Sequence, residues 1–266
     1  MSQTQFSVLV NSCDAFEDCW QPFFTLLGRF WPECDVPVFL NTESKSWSGA
    51  GPPAIATRVQ AGIDRRLTWS ECLLAALERI ETPLVLYMQE DYFLQRSVLD
   101  DAIRAAAGLM MRDPSIRHVA LSRHGSLGPY LPHESGWLQV IRPRARYRIS
   151  TQAALWRVES LRAYLRPREN GWMFEILGTT RAWRRDETFL LVDYSTPRGA
   201  PMEYLHTGII KGAWHPGIPA VFAANGIPVD FSRRGFYVAK PALLRRAETL
   251  RQLARDPVGV IRGLIA

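Results

Sequence analysis

The chain has 266 residues, 47% hydrophobic and 22% charged, with 32 Lys+Arg against 26 Asp+Glu and a net charge of +6. This profile is that of a folded globular protein and excludes disordered or collagen-like chains; no apolar run approaches the roughly 20 residues of a transmembrane helix. The length suits one large domain or two small ones, and the arginine-dominated balance suits anionic small molecules, membrane surfaces or nucleic acid without choosing among them.

Taken in chain order, residues 6–10 (Phe-Ser-Val-Leu-Val) read as a buried strand ending in the polar turn Asn11-Ser12-Cys13-Asp14. Trp20, Phe23, Phe24, Leu27 and Phe30 then recur at helical spacing over residues 18–30. Residues 36–41 form a second strand candidate, and the Ser-, Gly- and Pro-rich stretch 44–54 is expected to be loop. Thr68-Trp-Ser-Glu71 is a capping box opening a helix that Thr82-Pro83 closes. Leu84 to Met88 is the next strand, Ser97 is the expected cap of another helix running to Asp113-Pro114, and Arg117 to Ser122 is a further strand. Strands alternating with helices predict an α/β fold with crossover helices.

The second half is less regular: strand candidates at Tyr147–Trp156 and Thr188–Tyr194, a helix near 158–165, and Gly and Pro recurring through 197–228. From Lys240 onward, Leu243, Ala247, Leu250 and Ala254 make an apolar stripe with arginines elsewhere, predicting a terminal helix that packs on the domain or rests on an anionic membrane surface. Cys13, Cys19, Cys34 and Cys72 make no CxxC pair and no zinc spacing. No signal peptide is read at the start, so free thiols in a cytoplasmic protein are expected.

Apolar strands of a parallel sheet carry ligands beyond their carboxyl ends. Leu84 to Met88 is such a strand, and Gln89-Glu90-Asp91 follows at once. Carboxylates there suit a divalent cation that neutralises a diphosphate; they equally suit a loop satisfied by backbone N–H groups or Arg. The stretch Val8 to Asp14, the helix after Thr68 and the Leu84–Leu94 strand, in that order and spacing, resemble the nucleotide-sugar-binding half of GT-A fold glycosyltransferases, particularly bacterial enzymes of surface-polysaccharide or lipopolysaccharide assembly. The resemblance spans roughly residues 6 to 215. It implies an α/β, GT-A-like (Rossmann-like) fold: a mixed, mainly parallel sheet flanked by helices, in a single domain with a C-terminal helical tail. Residues 1–122 would be the nucleotide-sugar half, 123–239 the acceptor half and 240–266 the tail.

In that family a strand ends in an acidic D-X-D motif holding a metal on the sugar nucleotide. Here the first acid is replaced by Gln89, so the resemblance implies Asp91 as ligand of Mn2+ or Mg2+ and Glu90 as a helper at the donor. It further implies donor contacts from Asn11, Ser12 and Asp14 at the end of the first strand. From the late stretch 206–215 it implies His206 as a further metal ligand and Lys211 on the phosphates. Trp172 to Glu175 resembles the acceptor-side segment, implying Glu175 as catalytic base, with Glu169 as its understudy and Trp172 against the sugar; Arg123 and His124 are placed in the acceptor pocket. An inverting transferase needs such a base, and no nucleophile stands out. The function implied is transfer of a sugar from a nucleotide-sugar donor to a glycan or lipid-linked glycan acceptor, in the cytoplasm or at the inner face of the membrane. Two alternatives stay open: a non-catalytic binding relative of the fold, and a nucleotidyltransferase, against which the 11–18 turn lacks Gly and Arg. Nucleic acid is not an expected partner, since no basic–aromatic reader motif appears.

Overall fold

The computed structural model describes residues 5–239; the expected amphipathic basic helix of 240–266 lies outside the described residues. The first half alternates strand and helix: β1 (Phe6–Asn11), α1 (Glu17–Phe30), β2 (Val38–Asn41), β3 (Ile55–Ala56), α2 (Trp69–Leu77), β4 (Leu84–Gln89), α3 (Asp100–Arg112) and β5 (Ile116–Ala120). The second half holds β6 (Tyr130–Pro132), β7 (Leu138–Ile141), β8 (Ala154–Arg157), α4 (Val158–Tyr164), α5 (Gly171–Ala182), β9 (Thr188–Val192), the small hairpin β10 (Ile209–Ile210) and β11 (Ala213–Trp214), and α6 (Ile218–Ala224).

Nine strands form one sheet in the order β3-β2-β1-β4-β8-β5-β9-β7-β6. β3, β2, β1 and β4 are parallel neighbours, and β5 is parallel to β9. Only β8 and β7 run against the rest, β8 lying antiparallel between β4 and β5. The sheet is thus mixed and mainly parallel, with helices on both faces. Successive residues of each strand alternate between two cores. Phe6, Val8 and Val10 of β1 and Leu84, Leu86 and Met88 of β4 pack with α1, α3 and α6. Leu9, Val85 and Tyr87 point the other way, to α2, α4 and α5. Burial on both faces is why these strands read as continuous apolar runs. Each fully buried Leu, Val or Phe contributes about 1.5–3 kcal/mol.

The capping box forms as expected. Thr68 Oγ1 accepts from the Glu71 N–H at 3.2 Å, and Glu71 Oε2 accepts from the Thr68 N–H at 2.9 Å. Arg65 adds a two-pronged ion pair to Glu71 at 2.7 and 2.8 Å. Three expectations are corrected. Ser97 does not cap α3: the helix starts at Asp100 after Leu99. Its lead-in is held by tertiary bonds from the Val98 N–H to Phe30 O (2.8 Å) and the Leu99 N–H to Pro201 O (3.0 Å), which delay the first turn. Helix α2 ends at Leu77, well before Thr82-Pro83. Within Tyr147–Trp156 only the last residues enter the sheet, as β8. Among the described residues no helix is long and apolar enough to cross a membrane.

Candidate active site

β1 and β4 pair in register to their last residues, Asn11 opposite Gln89, so both strands release the chain side by side. The ends are pinned by a buried polar chain. The Asn11 amide donates to Tyr87 Oη (3.2 Å), the Asn41 amide donates to Asn11 Oδ1 (2.8 Å), and Thr57 Oγ1 donates to Asn41 Oδ1 (3.0 Å). Above them opens a cavity of about 330 Å3. Asn11, Ser12, Cys13 and Phe16 form its β1 side, and Gln89, Glu90 and Asp91 its β4 side. Trp69, fixed by the capping box, closes a third side, and Thr207, Ile209, Lys211 and Gly212 cover it. Lys211 and Gly212 form the turn between β10 and β11, both at positive φ (51° and 84°).

The two acids differ. Asp91 Oδ2 accepts from the Thr207 hydroxyl and from the N–H groups of Gly208 (3.1 Å) and Ile209 (3.0 Å). Gly208 has no room for a side chain, because a Cβ would lie 2.4 Å from the Phe93 ring and 2.7 Å from Asp91 O. Asp91 Oδ1 is buried without a hydrogen-bond partner. Glu90 is 8% exposed; burial, and then the neighbouring Asp91 carboxylate, push its pKa well above the ordinary value. A small divalent cation takes one or two carboxylates and completes its shell with phosphate oxygens and water. The orphaned Asp91 Oδ1 beside Glu90 fits that donor set. No group of three or more His, Cys, Asp or Glu side chains among the described residues makes a fuller cage.

A second cavity of about 400 Å3 adjoins the first, and the two share Gln89 and Thr207. Its lining is polar and almost uncharged: Tyr92, Tyr147, Ser150, Thr151, Gln152 and His206, with Gly125 and Leu127 at the side and Glu175 as the one carboxylate. Glu175 lies in the first turns of α5, whose N-cap Asn170 accepts from the Met173 N–H at 2.9 Å. Its Oε1 accepts from the Thr151 N–H (2.8 Å), Thr151 Oγ1 (2.9 Å) and Ser150 Oγ (3.4 Å). Burial raises the Glu175 pKa above its ordinary value, and these donors only partly offset the rise.

Of the residues singled out from the sequence, Asn11, Ser12, Glu90, Asp91 and Lys211 converge on the first cavity, and Glu175 and His206 line the second. Ser12 Oγ also accepts from the Trp20 indole N–H at 2.8 Å. Asp14 does not line the cavity. Its carboxylate accepts the N–H groups of Glu43, Ser44 and Lys45, at 3.0, 3.0 and 3.2 Å, tying the β1 turn to the β2 turn. His206 stands on the Glu175 side, its ring 5.2 Å from that of His124, so it is not gathered with Glu90 and Asp91 in the first cavity. His124 faces Tyr204 O (3.1 Å), Arg123 sits 3.7 Å from Glu203, and neither lines either of these two cavities; nor does Trp172. Glu169 is locked in a buried ion pair with Arg181 at 2.6 Å. His118 is core, between Trp156 and Phe189, with burial taking its pKa down to about 3.

Sequence reasoning passed over Trp69, Thr207 and Thr151. Trp69 was visible inside the capping box. The two threonines carry no local signal, since their roles arise from contacts 116 and 24 residues away.

A parallel block β3-β2-β1-β4, followed by the reversed β8, carries a cleft at the carboxyl ends of β1 and β4. The fold is GT-A-like. No family model and no curated protein matches the chain. Among solved structures it is similar to S. aureus TarS, at 14% identity and a TM-score of 0.43, over 71% of this chain and 58% of that one. It is also similar to glucosyl-3-phosphoglycerate synthase from Mycobacterium tuberculosis, solved with Mn2+, uridine diphosphate and phosphoglyceric acid, at 14% identity and a TM-score of 0.48, over 85% and 80% of the two chains. A third is the bifunctional IspDF from Campylobacter jejuni, at 12% identity and a TM-score of 0.39, over 77% and 53%.

Proposed function

We propose that the chain is a glycosyltransferase that moves a sugar from a nucleotide-sugar donor to a hydroxyl group of a glycan acceptor, with inversion. The observation that carries this reading is the pair of adjoining cavities. One has buried acids at the end of β4, the other a single carboxylate of raised proton affinity, and they meet at Gln89 and Thr207.

The donor fits the first cavity, its nucleoside against Trp69 and the β1 turn and its diphosphate towards Lys211. Asp91 and Glu90 are the residues to hold a manganese or magnesium ion, whose charge would offset that developing on the departing nucleoside diphosphate. The acceptor fits the second cavity. Ser150 and Thr151 hold Glu175 by Oε1, which leaves Oε2 to take the proton of the attacking hydroxyl. That hydroxyl then attacks the anomeric carbon from the face opposite the leaving group. The lining of the acceptor cavity contains no Lys or Arg, which favours an uncharged sugar over a phosphorylated acceptor.

The test is a panel of nucleotide sugars, each with neutral glycans and with phosphorylated small acceptors, followed by mass spectrometry of the products. Transfer from one donor to a neutral glycan is expected. Binding of donors without any transfer or hydrolysis would instead favour a non-catalytic binding protein.

A further inference from the structure

The acceptor cavity opens beside an edge of the sheet whose surface the transfer reaction does not use. The strip 127–132 pairs through Tyr130–Pro132 with β7, and bonds from the Leu127 N–H to Arg146 O (3.0 Å) and from the Arg142 N–H to Pro129 O (3.2 Å) tie it to a second strip, the turn at 142–146 that follows β7. On the first strip Leu127 is 63% exposed and Leu131 49%. On the second Arg142, Arg144 and Arg146 are all exposed, and none makes an ion pair with a described residue. Leu131 lies opposite Val140 in the β6–β7 ladder, so Arg142, two residues beyond Val140, projects from the same face beside it. Residues 123–147 contain four arginines and one acid, Glu134.

Large exposed apolar side chains rimmed by arginines that face water mark a contact surface. The chemistry narrows its partner. A soluble polyanion would use the arginines but leave the leucines wet. A second strand added to the β6 edge is disfavoured, because Pro129 and Pro132 supply no N–H there. An anionic bilayer satisfies both sets, since arginines pair with its phosphates while leucines enter the boundary between headgroups and acyl chains. We propose that this rim, with Leu127 and Leu131 flanked by Arg142, Arg144 and Arg146, docks the protein on an anionic lipid surface. Leu127 and Tyr147 also line the acceptor cavity, so docking would bring that cavity's mouth to the lipid boundary. The surface is independent of the transfer chemistry, and a chain that moved no sugar would still bind vesicles.

The experiment is co-sedimentation of the full chain with vesicles of equimolar phosphatidylglycerol and phosphatidylcholine, against phosphatidylcholine vesicles and soluble polyphosphate. Each arginine near such a surface is worth about five-fold in partitioning, so the triple variant Arg142→Gln/Arg144→Gln/Arg146→Gln is expected to bind anionic vesicles ~10²-fold less. Leu131→Gln is expected to lose about ten-fold on vesicles and nothing on polyphosphate. Unaltered melting curves show that the variants remain folded. Vesicle binding that survives the triple substitution would assign the contact to another part of the chain and overturn the proposal. So would equal binding to neutral vesicles, or a Leu131→Gln variant that binds vesicles as wild type does.

Discussion

Replacing Glu169 by Gln separates its structural role from that of a base. Glu169 and Arg181 are 3% and 2% exposed in their side chains, and two bonds of 2.6 and 2.7 Å join them. Arg181 also donates to Tyr164 O at 2.7 Å, so the pair pins α5, and with it Glu175, to the end of α4. Removing the negative partner takes the facing carboxylate from a buried guanidinium, at a cost of about 3–5 kcal/mol. At ~2–4 °C per kcal/mol for a chain of this size class, the melting temperature should fall by roughly 6–20 °C. A double variant, Glu169→Met with Arg181→Met, removes both charges and should recover much of the loss, giving strong non-additivity in a double-mutant cycle. The assay is thermal and urea denaturation of wild type, Glu169→Gln, Glu169→Met, Arg181→Met and the double variant, with transfer measured well below each melt. A loss under about 1 kcal/mol, or additive single effects, would refute the ion-pair argument. If Glu169→Gln kept its stability but lost turnover, Glu169 rather than Glu175 would be the base.

Asp91→Ala strands the Ile209 N–H and takes one of two acceptors from the Gly208 N–H and the Thr207 hydroxyl, which keep Asp91 O (3.0 Å) and Ile209 O (2.8 Å). It should destabilise the protein by roughly 1–3 kcal/mol without metal or nucleotide present, while Asp91→Asn should cost less; unchanged denaturation would contradict this bond set. Glu175 has a raised pKa and acts as carboxylate, so log kcat/KM should climb with pH below that pKa and level off above it. Thr151→Val removes a donor to the carboxylate and raises the pKa further, so this limb should move to higher pH by about one unit; a stationary limb would contradict the assignment. Trp69→Ala should weaken nucleotide binding about ten-fold in calorimetry if the base stacks there. Unchanged affinity would place the base elsewhere.

The first half of the fold was legible because its signals are local. β1 and β4 are buried on both faces and therefore read as apolar runs, and the Thr68–Glu71 box needs only four residues to declare a helix start. β8 was illegible as an inserted strand: its four residues, Ala154–Arg157, gain their meaning by pairing with β4 and β5, far away in sequence. Ser97 had the right chemistry for a cap and lost to long-range backbone bonds. At the site, Gln89-Glu90-Asp91 could be found because a polar triplet ends an apolar strand. What each acid does could not be read. Thr207 and Ile209 arrive from a distant hairpin to occupy one Asp91 oxygen and leave the other bare, while among the described residues no side chain or loop N–H does the same for Glu90. Glu175 stood out as a carboxylate at a helix start, but the Ser150 and Thr151 donors that hold its Oε1 come from a segment 24 residues earlier and leave no mark beside it in sequence.

The central claim is that Glu175 takes the acceptor proton beside a donor held at the end of β4. The direct measurement is Glu175→Gln assayed for sugar transfer by mass spectrometry and for donor affinity by calorimetry in one preparation. Donor affinity should stay within about two-fold of wild type while transfer falls by ~10²–10⁴-fold, the usual contribution of a positioned base. Transfer at the wild-type rate with intact donor binding would contradict the account.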